Sequence, residues 1–142
     1  MDRRLTFPPR SGVLKQLRAR VRDLAGQLGA DAEAGNKLAL VVDELVNNAI
    51  EHGAAYRRRF LDLALEFHVV AGRMEIEFFD QEMPTESVHE LARALSASAA
   101  GMPSLESERG RGLFLMSIYL EDLRVEVAKS GGLRLAGTVQ RH

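Results

Sequence analysis

The sequence contains no cysteine among its 142 residues. A disulfide scaffold, a thiol nucleophile and zinc or iron–sulfur sites built on thiolates are therefore excluded. The sequence also lacks an apolar run approaching the ~18 residues of a membrane span. Its N-terminal segment lacks the apolar centre of a signal peptide. We therefore expect a cytoplasmic protein that does not associate with membranes.

Neither sign of charge dominates the sequence. There are 19 lysines and arginines against 20 aspartates and glutamates, which gives a formal net charge of −1. This balance argues against direct binding to nucleic acid, which favours a strongly basic surface. The three consecutive arginines at positions 57–59 are expected to lie in a solvated turn, with docking of a partner protein as the alternative.

The length and composition are typical of one folded domain. Hydrophobic residues make up 46% of the chain and charged residues 27%, as in ordinary globular proteins. A chain of 142 residues can bury a sizeable core, and no repeat or low-complexity segment divides it. We therefore predict a single domain over residues 1–142.

The spacing of apolar residues predicts an α+β fold. A period of 3.6 residues indicates helices, and strict alternation indicates half-buried strands. The predicted helices cover 12–28 and 31–52, with weaker patterns over 86–97 and 112–120, and the predicted strands cover 5–7, 61–69, 74–78, 123–127 and a segment from Leu133. Gly53 is expected to cap the second helix. Helices near the N-terminus and hairpins later predict helices packed on one face of a mainly antiparallel sheet.

The second predicted helix carries a row of polar residues beside its apolar seam. Glu44, Asn48 and His52 follow one another at intervals of four residues, so they share one face of the helix. A carboxylate, an amide and an imidazole in line could together line a pocket. The alternative is that they form the solvated shoulder of an amphipathic helix.

Asp80 lies at the end of the second predicted strand, in phase with residues that face the core. A carboxylate in that position needs a hydrogen-bonding partner, and the exocyclic amine of a bound base would serve. The alternative is an aspartate that initiates the turn after the strand.

A glycine-rich segment precedes the last predicted helix. Gly110 and Gly112 are one residue apart, so backbone N–H groups at the start of the helix could approach an anion closely. Arg109 and Arg111 add positive charge that suits phosphate oxygens. The alternative is an ordinary turn.

These features together resemble the motifs of a known superfamily. The stretch Glu44-x-x-x-Asn48-Ala49, the strand-end Asp80 and Gly110-x-Gly112-Leu113-x-Leu115 resemble the N box and the two glycine boxes of the GHKL ATPases. The sequence Asn-Ala-Ile-Glu-His-Gly at 48–53 resembles the anti-sigma factor serine/threonine kinases of bacteria. The resemblance implies a two-layer sandwich of the Bergerat type, which binds ATP and Mg²⁺ and closes a lid over about 86–108.

The resemblance also implies a role for each matching residue on the second helix and second strand. Glu44 would be the general base for an attacking serine hydroxyl, and Asn48 would ligate Mg²⁺. His52 would lie near the phosphates. Asp80 would accept a hydrogen bond from the adenine amine.

The glycine boxes give further implied contacts and one departure. Gly110, Gly112 and Leu113 would contact the phosphates through their backbone, and Arg109 would reach the β- or γ-phosphate. The superfamily places a glycine two residues after the strand-end aspartate, where this sequence has Glu82. We expect the Glu82 side chain to be directed to solvent.

The function implied by the resemblance is that of an anti-sigma factor and kinase. Such a protein sequesters an alternative sigma factor and phosphorylates a small antagonist of STAS type on serine, commonly as a homodimer. Glu44 and Asn48 favour this reading. The main alternative, favoured by Glu82, is a degenerate module that sequesters a partner with little or no use of ATP. A detached histidine-kinase ATPase domain is a more distant alternative, because no preceding helix offers a phosphoacceptor histidine.

Overall fold

The computed structural model describes residues 2–99, 116 and 118–139. This part of the chain forms three α-helices and five strands, with a short 3₁₀ helix at Ser11–Val13. The elements are β1 (Asp2–Phe7), α1 (Leu14–Gln27), α2 (Ala32–Gly53), β2 (Leu63–Val70), β3 (Arg73–Asp80), α3 (Thr85–Ala99), β4 (Leu120–Val127) and β5 (Leu133–Val139).

The five strands form one sheet in the order β1-β2-β3-β5-β4. Every neighbouring pair is antiparallel. One face of the sheet is apolar: Met74, Ile76 and Phe78 of β3 are buried, while the alternate residues Glu75 and Glu77 are only partly covered. The helices cover the apolar face, so the predicted α+β sandwich is confirmed.

The core lies between the sheet and the apolar faces of the helices. The predicted seam of α2, which consists of Leu38, Val42, Leu45 and Ala49, is buried along its whole length. This seam packs in the same core cluster as the inward residues of β2 and β3. None of the described helices combines the length and apolarity that a membrane span requires.

The two ends of α2 are formed differently. Asp31 caps the beginning, because its Oδ1 accepts a hydrogen bond from the backbone N–H of Ala34 at 2.8 Å. The prediction that Gly53 caps the end is wrong, since Gly53 is the last helical residue and the cap, Ala54, keeps helical dihedral angles. The reason for a glycine at position 53 lies in the packing described below.

The segment predicted as a lid begins with a packed helix. Val88, Leu91 and Leu95 of α3 are buried in the core. Residues 100–108 lie outside the described part of the chain, so closure of a lid over 86–108 stays a prediction. Strand β4 begins at Leu120, three residues before the predicted start, and the described residues of the helix predicted over 112–120 are helical only at 116, 118 and 119.

Candidate functional site

The polar row on α2 is partly buried beside the seam that faces the core. Glu44, Asn48 and His52 are each intermediate in exposure. Asn48 Nδ2 donates a hydrogen bond to the backbone carbonyl of Glu44 at 3.1 Å. This bond uses the donor side of the amide and leaves Oδ1 as the atom that can accept a donor or ligate a cation.

The environment of Glu44 makes its carboxylate a stronger base. Burial raises the pKa of Glu44 above its ordinary value, and the negative charges of Asp43 and Glu51 raise it further. A carboxylate whose pKa is raised toward neutrality accepts a proton more readily from a reacting hydroxyl. The same shift means that the ionised carboxylate lowers the stability of the folded state at pH values above 4.5.

Asp80 lies at the end of β3 with only 1% of its surface exposed, as its phase along the strand predicts. Arg57 Nη1 donates to Oδ1 at 3.1 Å, and Arg57 Nη2 donates to Oδ2 at 2.7 Å. Tyr56 donates its hydroxyl to Oδ2 at 2.9 Å, and the backbone N–H of Glu82 donates to Oδ1 at 3.2 Å. The carboxylate of Asp80 therefore receives four hydrogen bonds from its own chain.

Arg57 is the buried counter-ion of Asp80, and the prediction that it lies in a solvated turn is wrong. Its side chain is 2% exposed, whereas Arg58 and Arg59 are exposed as predicted. A run of three arginines is usually a hydrated surface feature, and spacing alone does not distinguish its first member. A signal was nevertheless present, because a buried Asp80 requires a donor or a positive partner.

The end of α2 is shaped to receive the guanidinium of Arg57. Nη2 donates a further hydrogen bond to the backbone carbonyl of Ala49 at 3.1 Å. A Cβ atom at Gly53 would collide with Nη2, so only glycine leaves room there. Burial lowers the pKa of Arg57, but the hydrogen bonds and charge of Asp80 outweigh that effect and raise it overall.

Glu82 holds the loop that follows Arg57, so the expectation that its side chain is directed to solvent is wrong. Its carboxylate accepts hydrogen bonds from the backbone N–H groups of Arg58, Arg59 and Leu61, at 2.9, 3.3 and 2.6 Å. Backbone N–H groups that converge on one anion in this way form a concave nest. Phe60, inside the nest, has a φ of 49°, a left-handed conformation that is costly for a bulky residue.

The described residues bring α2 and the end of β3 together through Arg57. Its contact with Ala49 is one residue beyond Asn48, so Asp80 is tied to the same part of α2 that carries the polar row. Arg109, Gly110, Gly112 and Leu113 lie outside the described residues, and their contacts with phosphate stay predictions. Within the described ranges, no group of three or more histidine, aspartate or glutamate side chains could hold a metal ion.

Comparison with known proteins supports the predicted superfamily and fold. Residues 7–136 match the family of histidine kinase-like ATPase domains. No curated protein sequence matches significantly. A chain in the crystal structure of the SiaB–SiaC complex from Pseudomonas aeruginosa is similar in fold, with a TM-score of 0.72 at 15% sequence identity. The similarity covers 95% of this chain and 88% of that one, and at this identity it shows the fold alone.

The buried ion pair gives the first prediction. Arg57→Met or Asp80→Asn alone leaves one buried group without its counter-charge, so each variant is expected to lose about 3–5 kcal/mol of unfolding free energy. The double variant should lose clearly less than the sum, because neither charge remains to be desolvated. Urea unfolding measures the free energy of unfolding of the two single variants and the double variant. Arg58→Met is the exposed control and should lie within about 0.5 kcal/mol of the parent. Additive losses would contradict a direct pair.

The nest around Glu82 gives a prediction about pH. Burial raises the pKa of Glu82, but the three backbone hydrogen bonds and the charge of Arg57 lower it overall. Its ionised form therefore stabilises the fold above pH 4.5, and that contribution is lost as the pH falls through the lowered pKa. Glu82→Gln should cost about 0.5–1.5 kcal/mol at neutral pH, since the charge is lost but the amide keeps one acceptor oxygen, and two of the three bonds are exposed to solvent.

The measurement for Glu82→Gln is chemical unfolding at a series of pH values from neutral down to 3. The difference in unfolding free energy between parent and variant should be constant above about pH 4.5 and should decrease below it. Glu90→Gln, on the exposed face of α3, is the matched control and should show no such gap. A gap that widens in acid would contradict the role given to the carboxylate.

Proposed function

Because this chain belongs to the family of histidine kinase-like ATPase domains, we propose that it is a partner-switching regulator that phosphorylates a protein on serine or threonine with ATP. The observation that supports this best is the pairing on α2 of a basic carboxylate, Glu44, with an amide, Asn48, whose Oδ1 is left for a cation. The fold similarity to a chain of a two-protein complex supports a protein as the partner.

Glu44 is the proposed general base. Its carboxylate would accept the proton of the partner's serine hydroxyl while the serine oxygen forms a bond to the γ-phosphorus of ATP. The bond between that phosphorus and the β–γ bridging oxygen breaks, and ADP leaves with the electron pair. The raised pKa of Glu44 suits it to hold the proton until the product departs.

Asn48 is the proposed protein ligand of Mg²⁺. Magnesium that binds together with a nucleotide usually keeps several waters and takes phosphate oxygens as ligands, so one amide oxygen from the protein suffices. The bound ion would neutralise phosphate charge. His52, Arg109, Gly110, Gly112 and Leu113 are the proposed phosphate contacts.

The proposed partners follow the resemblance in sequence. The phosphorylated protein would be a STAS-type antagonist, and the protein held by the unmodified domain would be an alternative sigma factor. Unphosphorylated antagonist would compete for the domain and release the sigma factor. We propose that this exchange takes place in the cytoplasm and that the domain acts as a homodimer.

A second candidate function is that of a sequestering module that does not use ATP. Two observations favour it: the Asp80 carboxylate is occupied by Arg57, and Glu82 stands where the superfamily has glycine. Binding of the partners would then be the whole activity. The two candidates differ in whether phosphate reaches the antagonist.

Phosphotransfer to a purified antagonist from a neighbouring gene separates the two candidates. Glu44→Gln keeps the shape of the side chain but removes the proton acceptor, so the rate should fall by about 10²–10⁴-fold while nucleotide and sigma-factor binding persist. Asn48→Ala should weaken Mg-nucleotide binding and transfer together. Asp23→Asn, at an exposed position of α1, is the control and should transfer phosphate at the parent rate.

The time course of phosphoserine formation is read beside a pull-down of the sigma factor for each variant. If Glu44→Gln transfers phosphate at the parent rate, Glu44 is not the base. If the parent transfers none to an antagonist that it binds, the domain is a sequestering module.

A further inference from the structure

The acceptor positions of Asp80 are already filled in the folded chain. A carboxylate offers about four lone-pair directions. Four donors reach this one: both terminal nitrogens of Arg57, the hydroxyl of Tyr56 and the backbone N–H of Glu82. The exocyclic amine of an adenine would be a fifth donor to a side chain that is 1% exposed.

We propose that Asp80 does not read the base, and that the site accepts purine nucleotides with an amine or a carbonyl at position six equally well. The nucleotide would be held through its phosphates and metal ion, so the substrate class is purine nucleoside phosphates in general rather than adenine nucleotides alone. This inference rests on the proposed function, because it presumes that a nucleotide binds at this site.

An adenine amine is not expected to displace Arg57 from the carboxylate of Asp80. Its guanidinium makes two bonds to Asp80 and one to Ala49, and Gly53 leaves the space in which it lies. Its departure would leave a buried carboxylate without a counter-charge, which is among the costliest changes in a protein interior. A neutral amine returns one hydrogen bond, which does not replace a buried ion pair.

Tyr56 is the donor that an amine could displace more cheaply, but little would be gained. Its hydroxyl gives one neutral hydrogen bond to Oδ2 of Asp80 at 2.9 Å. An adenine amine in its place would give another neutral hydrogen bond to the same oxygen. Since the number of bonds to Asp80 is unchanged, the exchange creates little preference for adenine.

Adenosine and inosine diphosphate form a matched pair of probes. They differ at position six, where adenine has an amine and hypoxanthine a carbonyl, and in the protonation of the neighbouring ring nitrogen. With the full chain and Mg²⁺, calorimetry should give dissociation constants within about threefold of each other, since an even exchange of hydrogen bonds is nearly neutral. A site that reads the amine with a buried carboxylate would prefer ADP by about 10² or more.

Tyr56→Phe tests the reason for the lost selectivity. The variant keeps the ring and the ion pair but opens one acceptor position on Asp80, so the preference for ADP over IDP should rise about tenfold, as a bond to a charged acceptor allows. Tyr119→Phe removes the other tyrosine hydroxyl of the sequence and should leave the ratio unchanged. If Tyr56→Phe leaves the ratio of ADP to IDP affinity unchanged, filled acceptor positions on Asp80 are not the reason for the missing selectivity, and the inference is overturned.

The remaining outcomes separate this inference from the proposed function. If the parent strongly prefers ADP and Asp80→Asn abolishes that preference, the inference is overturned. If the parent still transfers phosphate from ATP in that case, the proposed function stands. Equal binding of ADP and IDP without phosphotransfer supports the inference and defeats the kinase. Failure of parent and Tyr56→Phe to bind either diphosphate at millimolar concentration overturns the inference.

Discussion

A buried ion pair between Arg57 and Asp80 fixes the end of α2 against the end of β3. Two charged groups lose their hydration when the chain folds. That loss of hydration free energy is offset only where every donor and acceptor of the pair is well placed. Ala49 supplies a carbonyl to the guanidinium and Tyr56 supplies a hydroxyl to the carboxylate. Gly53 supplies space by having no side chain. The polar row of α2 is thereby held at a set position relative to the sheet.

The loop after Arg57 is held in place by a second carboxylate, that of Glu82. Glu82 binds three backbone N–H groups of the loop, and its own N–H binds Asp80. The residue that departs from the superfamily's glycine is therefore part of the same hydrogen-bonded unit as the ion pair. Glu44 and Asn48 lie on the helix that this unit anchors, so the proposed base and metal ligand depend on it for their position. A kinase and a sequestering module could share this frame and differ only in nucleotide use.

The fold was predictable because its signals are local. The seam of α2 and the alternation in β3 are periodic patterns over one element, and both correctly identify the buried face. The Asp80 cluster was not predictable in the same way, because Arg57 and Asp80 are 23 residues apart and pair only after α2 and β3 have packed. Gly53 illustrates the difference: a glycine at a helix end usually serves as a cap, whereas here it accommodates a side chain from four residues later.

The most direct test of this account is whether the Arg57–Asp80 pair stays closed when nucleotide binds. Nuclear magnetic resonance of arginine side chains, in labelled protein titrated with Mg-ADP, observes the guanidinium of Arg57 itself. We predict that its Nη protons exchange slowly with water before and after saturation, as in a buried bidentate pair. Rapid exchange of those protons on saturation, with the resonances of Arg58 unchanged as the reference, would show that Arg57 leaves Asp80 and would contradict the account.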